Sequence, residues 1–274
     1  MPLQIATVAC LSDNYAFLLH DPDSGETALV DAPEAGPIKA QLKLRGWNLT
    51  HILITHHHYD HIDGVEELRR EFNAKVIGAK ADAHRLPDLD IELTQGDTVS
   101  VGDNHGTVID VSGHTIGHIA FHFPRNAALF TADSLMAMGC GRLFEGSPEQ
   151  MWGSLSKLID LPEMTMVYSG HEYTESNAAF AYSVEPKNPA LRDRILQIIE
   201  ARSQNMPTVP SLLTDELDTN PFLRPDSSEI RANLGMKTAS NAAVFAELRQ
   251  RKDNFNYTGM PDIREEDCDC DGNS

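Results

Sequence analysis

The densest group of residues able to bind a metal lies between His51 and His61, in the sequence HILITHHHYDH. Five of the twelve histidines of the chain fall in this stretch, which begins as an apolar strand. In an extended chain His56 and His58 point to the same side, because side chains alternate with a period of two. Asp60 and His61 follow at once and can fold back from the start of the next helix. Imidazole and carboxylate groups suit zinc and other first-row metals, so the stretch predicts a metal site.

Three further candidate ligands follow apolar strands in the same way. His114 comes after the run 107–111, Asp133 after 128–130, and His171 after 166–168. Open α/β architectures gather functional residues at the carboxyl ends of their strands, so these side chains are expected to meet. With the four ligands of the first stretch they make seven, too many for one tetrahedral metal. Seven ligands suit two metals that share a carboxylate.

The elements that position these residues alternate between short strands and helices up to about residue 170. Apolar runs between turn signals predict strands at 3–9, 15–19, 27–30, 51–54, 75–77, 98–101, 107–111, 118–123, 128–130 and 166–168. Helical spacing predicts helices at 38–44 and 65–72, and Ser147-Pro148 opens another with a capping box. After residue 172 the pattern predicts helices at 173–184, 189–205 and 240–254 and no strand.

This change of character predicts three parts. Residues 1–172 form a mixed α/β metal-binding domain, and residues 173–255 form a smaller helical domain. Residues 256–274 carry six acidic residues against one arginine and are expected to form a disordered tail. The pair Cys268 and Cys270 in this tail is only a weak metal signal.

Composition excludes several classes of function. The chain has 274 residues, with 22 Lys and Arg against 41 Asp and Glu, and a formal net charge of −19. Such a surface repels phosphate backbones and anionic lipids, which argues against nucleic-acid and membrane partners. No run of 18 apolar residues is present, and four cysteines do not make a disulfide framework. We expect a cytoplasmic protein, because the first predicted strand leaves no room for a targeting segment, with a processed organellar protein as the alternative. We also expect a monomer.

The ligand pattern resembles the metallo-β-lactamase superfamily, and further motifs resemble its glyoxalase II (hydroxyacylglutathione hydrolase) family. The motifs are THHHYDH at 55–61, GCGRLFE at 139–145, GHEYT at 170–174, TNPFLR at 219–224 and RQRKDNF at 249–255. The resemblance covers residues 1 to about 255. It implies an α+β fold, in which an αββα sandwich precedes a smaller all-helical C-terminal domain.

The resemblance also implies a role for each ligand. His56, His58 and His114 hold a first divalent metal, Asp60, His61 and His171 hold a second, and Asp133 bridges them. Zinc is the expected metal, with iron and manganese as alternatives. The departures from the family pattern are small: Asp63 and Ala132 replace a usual glycine and Ser112 a common proline.

The implied reaction is hydrolysis of S-D-lactoylglutathione, or another 2-hydroxyacylglutathione, to the hydroxy acid and glutathione. This is the second step of methylglyoxal detoxification. A hydroxide bridging the two metals is the nucleophile, and no catalytic residue beyond the ligands is expected, because a thiolate leaves without a general acid. The resemblance supplies a pocket for the anionic peptide on an otherwise acidic protein. Its members are Arg142, Phe144, Tyr173, Arg249 and Lys252.

Other functions remain open. A different hydrolase of the superfamily, such as a lactonase, a β-lactamase or another thioesterase, uses the same ligand motif. A persulfide dioxygenase with one iron should lack the second group of ligands. A non-catalytic metal-binding module or nucleic-acid processing subunit is disfavoured by the complete ligand set and the net charge.

Overall fold

The computed structural model describes residues 1–263 of the chain. Of the predicted acidic tail, residues 256–263 form neither helix nor strand, and Met260 and Ile263 pack against a small apolar cluster of the C-terminal helices. The remainder, with Cys268 and Cys270, lies outside the described residues. No helix within residues 1–263 is long and apolar enough to span a bilayer.

The first sheet is built from the N-terminal third of the chain. Its strands are β1 (Gln4–Cys10), β2 (Asn14–His20), β3 (Thr27–Val30), β4 (His51–Leu53), β5 (Lys75–Ala79) and β6 (Ile91–Leu93), paired in that order. The pairs β1–β2 and β2–β3 are antiparallel, whereas β3 to β6 run parallel. The parallel strands bring their carboxyl ends to one edge, which places the loops after β3 and β4 beside each other.

The second sheet follows in sequence. Its strands are β7 (Thr98–Val101), β8 (Asn104–Asp110), β9 (Ile119–Phe123), β10 (Ala128–Ala132), β13 (Met166–Ser169) and β14 (Ser211–Leu212), in the order β14-β13-β10-β9-β8-β7. Only the pair β10–β13 is parallel. A two-stranded ribbon, β11 (Leu135–Met136) with β12 (Gly139–Cys140), projects from the end of β10.

Helices cover the outer faces of both sheets. Those before residue 172 are α1 (Ala35–Arg45), α2 (Tyr59–Ile62), α3 (Val65–Phe72) and α4 (Pro148–Ile159); those after it are α5 (Thr174–Val184), α6 (Pro189–Ser203), α7 (Leu213–Thr219), α8 (Ser228–Leu234) and α9 (Asn241–Asp253). One apolar core joins the inner faces of the two sheets, a second joins α1 and α3 to the first sheet, and a third joins α4 and C-terminal helices to the second sheet. These layers confirm the predicted αββα sandwich followed by a helical region.

The buried strands explain why short apolar runs dominate the sequence. All five residues of β9 and of β10 are buried, because the first sheet covers one face of the second sheet and helices cover the other. The predicted cap of α4 is present, since the side chain of Ser147 accepts from its first turn. The left-handed Gly46 likewise ends α1, and the side chain of Asn188 accepts from the first turn of α6.

The structure corrects the sequence analysis after residue 172 in two respects. A strand is present there, because β14 pairs antiparallel with Met166 and Val167 of β13. The helices α7 and α8 were also missed, since seven residues are too few to show a helical period. The third apolar core runs across residue 172, from Ile109 to Leu248. The division into domains at residue 172 stays a prediction.

Candidate metal centre and adjoining pocket

The predicted ligands converge at one edge of the sandwich. The loop after β4 carries His56 and His58, and the first turn of the short helix α2 carries Asp60 and His61. The ring nitrogens of His56, His58 and His114 lie within 4.8 Å of one another, which is close enough to share one ion. His114 Nε2 is 3.0 Å from His58 Nδ1.

A second group of ligand atoms lies beside the first. Asp60, His61 and His171 also present atoms within 4.8 Å of one another. His61 Nε2 is 3.4 Å from His171 Nε2, and the latter is 3.5 Å from Asp60 Oδ2. The bond of Asn14 Nδ2 to Asp60 Oδ2, at 3.1 Å, steadies this carboxylate.

Asp133 lies between the two groups. Its Oδ2 is 3.4 Å from His114 Nε2 and 3.3 Å from His171 Nε2, while its Oδ1 is 3.5 Å from His61 Nε2. The preceding Ala132 has φ 42°, a left-handed conformation that glycine adopts without strain and that explains the family's preference for glycine there. This turn directs the Asp133 side chain across the ligand cluster.

The donor set fits metal ions. His56 Nε2 and Asp133 Oδ1 are buried and have no hydrogen-bond partner, although buried polar atoms are ordinarily paired. Pairs of ring nitrogens 3.0 and 3.4 Å apart also bring lone pairs together unless a proton or cation lies between them. Cations shared by these atoms would give the buried atoms a partner and would separate the facing lone pairs.

Outer partners set the ring orientation of three histidines. Asp31 Oδ2 accepts from His61 Nδ1 at 2.8 Å, Asp13 Oδ1 accepts from His171 Nδ1 at 2.9 Å, and the Arg142 carbonyl accepts from His114 Nδ1 at 2.8 Å. Because these oxygens only accept, each Nδ1 carries a proton and each Nε2 faces the cluster.

Asp31 and Asp13 were missed by the sequence analysis. Asp31 directly follows β3, so the strand-end signal that identified Asp133 could also have found it. It is buried and accepts from the Thr55 backbone and hydroxyl at 2.9 and 2.8 Å. Asp13 lies in the β1–β2 turn and gave no comparable signal.

The charges of the cluster favour the binding of a cation. Burial, followed by repulsion from His61, holds the pKa of His56 well below its usual range. Burial and the neighbouring His114 lower the pKa of His58 to about 4. Burial opposes charge on Asp133 and His171 too, but their mutual attraction is stronger, so the pKa of Asp133 is lowered and that of His171 rises to about 9. The carboxylates therefore require positive charge, while His56 and His58 keep free lone pairs at neutral pH.

The other histidines near the centre have structural contacts. His57 Nδ1 lies 2.8 Å from Asp82 Oδ2, outside the ligand cluster. The His118 ring stacks on His56 with 4.5 Å between centroids. Both side chains therefore lie around the predicted ligands rather than among them.

A cavity of about 560 Å³ adjoins the cluster. One end is lined by ligand side chains and the other by residues of the C-terminal helices, including Ser176, Asn177 and Phe255. All five side chains predicted to bind substrate line it: Arg142, Phe144, Tyr173, Arg249 and Lys252.

The cations at the far end are held in place by neighbours. Arg249 is buried; its Nη1 donates to the Cys140 carbonyl at 2.7 Å and its Nη2 to Asp253 Oδ1 at 2.8 Å. Lys252 Nζ donates to the carbonyl and hydroxyl of Ser176 at 2.8 and 2.9 Å. Burial, together with Arg249 and Arg142, lowers the pKa of Lys252 to about 8.

Two aromatic side chains form walls between these ends. The Tyr173 ring stacks on His171 with centroids 4.6 Å apart. Phe144 is 63% exposed and presents its ring edge-on to His58 and His114, at 5.5 and 5.2 Å. The surface beside the cluster is therefore apolar, and the charge lies farther along the cavity.

Comparison with known proteins gives consistent results over residues 12–255. Residues 12–171 match the family model of the metallo-beta-lactamase superfamily, and residues 172–255 match that of the hydroxyacylglutathione hydrolase C-terminus. The chain is 60% identical to a hydroxyacylglutathione hydrolase of Ruegeria pomeroyi over 93% of this chain and 100% of that one. It is 51% identical to a hydroxyacylglutathione hydrolase of Methylococcus capsulatus over 92% of this chain and 99% of that one. The crystal structure of ETHE1 from Myxococcus xanthus shares the fold, with a TM-score of 0.65 and 23% identity over 91% and 90% of the chains.

Proposed function

The chain belongs to the metallo-β-lactamase superfamily and, within it, to the hydroxyacylglutathione hydrolases, and on this premise we propose that it converts S-D-lactoylglutathione to D-lactate and glutathione. Metal-dependent hydrolysis of a hydroxyacylglutathione is the activity of the family. The observation that supports the substrate is the cavity, which runs from the His/Asp cluster to Arg249 and Lys252. A thioester carbonyl at the first end lets the peptide carboxylates reach the cations at the second.

We propose that the cluster holds two divalent ions. His56, His58 and His114 would hold one and Asp60, His61 and His171 the other, with Asp133 between them, as its 3.3 to 3.5 Å distances to three ring nitrogens favour. Imidazole and carboxylate ligands suit zinc, with iron and manganese as alternatives. Such ions supply Lewis-acid polarisation of the carbonyl and a water of lowered pKa.

The chain's own residues bind and orient the substrate. Lys252 and Arg249 attract the carboxylates of glutathione, and their burial strengthens this attraction relative to water. Tyr173 and Phe144 pack beside the reacting centre and exclude solvent from its sides. No general acid is required at the sulfur, because a thiol pKa of about 8.5 makes thiolate an adequate leaving group.

The direct test is thiol release from S-D-lactoylglutathione by zinc-loaded protein of verified metal content. An S-lactoyl thioester of a small thiol serves as the matched substrate, since it offers the same carbonyl without the peptide. We expect rapid release from the first and much slower release from the second. Equal rates would show that Arg249 and Lys252 do not bind the peptide. No release from either substrate would refute the proposed function and favour a lactone as the substrate. A monomeric state and a cytoplasmic location stay predictions from the sequence.

A further inference from the structure

The segment 136–142 connects the two ends of the active site. It contains the turn between β11 and β12, begins three residues after Asp133 and ends at the pocket residue Arg142. Its neighbours approach closely: a Cβ on Gly141 would stand 1.9 Å from the Asp133 carbonyl and 2.9 Å from His114 Nδ1. The segment therefore has little freedom to shift without displacing a ligand.

Side chains from beyond residue 172 bind the backbone of this segment at five consecutive residues. Asn220 Nδ2 donates to the carbonyls of Met136 and Gly139 at 3.2 and 3.0 Å, and Asn177 Nδ2 donates to that of Ala137 at 3.1 Å. Glu216 Oε2 accepts from the Met138 N–H at 2.9 Å, and Arg249 donates to the Cys140 carbonyl at 2.7 Å. Met138 has φ 60°, a strained conformation for methionine that persists only where surrounding contacts hold it.

Asn220 and Glu216 are themselves rigidly placed. Both are completely buried, and Asn220 Nδ2 also donates to Glu216 Oε2 at 2.9 Å. The other carboxylate oxygen accepts from Ser211 Oγ at 2.6 Å and pairs with the guanidinium of Arg194. Fully paired buried polar networks of this kind fix one geometry, because any displacement leaves a buried group unpaired.

The segment contacts both a proposed metal ligand, His114, and a proposed substrate-binding residue, Arg249, and so orients both side chains. The Arg142 carbonyl accepts the Nδ1 proton of His114 at 2.8 Å and so sets the direction of His114 Nε2. The Cys140 carbonyl holds Arg249 in the same way. Neither Asn220 nor Glu216 is among the side chains that line the cavity.

We propose that Asn220 and Glu216 are positioning residues, through which the helical region fixes the 136–142 segment and thereby orients His114 toward the metal and Arg249 toward the substrate. The alternative is that the same contacts only attach the helices to the sandwich. The kinetic part of the inference rests on the proposed function; the orientation of His114 does not.

The test compares Asn220→Ala with Asn188→Ala. Asn188 is a buried asparagine of the same region that donates to the Asp218 carbonyl at 2.8 Å and to Glu185 at 3.0 Å but does not touch the 136–142 segment. Three quantities are measured per folded protein: the NMR signal of the His114 Nδ1 proton in metal-free protein, zinc affinity by chelator competition, and kcat and KM separately. Melting temperatures report the stability lost by each variant.

We expect both variants to melt at lower temperature, but only Asn220→Ala to shift or broaden the His114 signal. It should also weaken zinc binding about tenfold, the lower end of the effect of removing an outer partner of a ligand, and should lower kcat while raising KM. Identical behaviour of the two variants in all three quantities would overturn the proposal. If Asn220→Ala does not fold, Asn220→Ser, which retains a smaller polar donor, takes its place with the same expected direction. Wild-type protein that fails to hydrolyse the thioester would refute the proposed function, while the proton signal and zinc affinity would still decide the role of Asn220.

Discussion

The ligand cluster and the cationic end of the cavity are assembled in different ways. The proposed ligands lie in loops that follow strands of the sandwich or in the short helix α2, and a carboxylate or carbonyl accepts from three of the histidines. The cations lie on α9 and are held by the backbone of Cys140 and by Ser176. The proposed metal ligands thus depend on the ends of the strands, and the proposed substrate-binding cations depend on contacts between the helices and the β11–β12 turn. Substitutions in the first region should act on metal content and kcat, and those in the second on KM.

The largest effect is expected from Asp133→Asn. The change keeps the size of the side chain but removes the negative charge between the two groups of ligands. We expect kcat to fall by about a thousandfold or more, because Lewis-acid stabilisation is worth several kcal/mol. Steady-state kinetics with elemental analysis of bound metal measure it. Retention of two ions and of kcat would show that Asp133 does not bridge them.

A smaller effect is expected from Asp31→Asn, which tests the outer partners of the ligands. Asparagine tolerates the left-handed φ of 56° at this position but cannot accept the His61 proton as a carboxylate does. We expect a loss of about 10- to 100-fold in metal affinity or activity. The same change at Asp13 should cause a smaller loss, because Asp13 is more exposed to solvent than Asp31. An equal loss at both positions would contradict this ranking.

Lys252→Ala tests the cationic end alone. Removal of a half-buried, charge-assisted hydrogen-bond donor should raise KM for the glutathione thioester about tenfold and leave kcat within a few-fold. Arg251→Ala is the matched control, since Arg251 is on the same helix but exposed and paired with Glu247. The double change Arg249→Ala and Lys252→Ala should raise KM further, with some loss of kcat because Arg249 also holds Cys140. An unchanged KM in the double variant would show that neither residue binds the substrate.

The smallest effect concerns pH. Because the pKa of Lys252 is about 8, lowered by burial and by Arg249 and Arg142, the side chain loses its positive charge between pH 7 and 9.5. KM should rise over this interval by no more than the effect of Lys252→Ala, whereas kcat should change less. Measurement of KM against pH for wild type and Lys252→Arg checks it. A rise that persists in the arginine variant must have another origin.

The sequence predicted most of the strands, and the side chains that the structure brings together in the cluster, for one physical reason. A strand buried on both faces is a short apolar run, and its end is marked by the first polar residue, as at Asp133 and His171. A second local signal, the capping box at Ser147, predicted the start of α4. Hydroxyacylglutathione hydrolase activity and the αββα fold were predicted by resemblance and are confirmed.

The contacts that hold these residues in place could not be read in the same way. Asn220 and Glu216 act on a backbone segment some eighty residues earlier in the chain, and no local pattern relates the two. The helices α7 and α8 are each too short for a periodic signal, and Asp13 is one polar residue of an ordinary turn. Such relations depend on tertiary packing, which periodicity does not record.

The two-residue strand β14 has a consequence for the solubility of the sandwich. It pairs with Met166 and Val167 along the outer side of β13, whose backbone would otherwise be a free sheet edge. Unpaired edges are templates for association with other chains. The same helical region covers the apolar face that includes Leu129 and Val167. A fragment that stops at residue 172 would therefore expose both a sheet edge and an apolar face, and we expect it to aggregate more readily than the full chain.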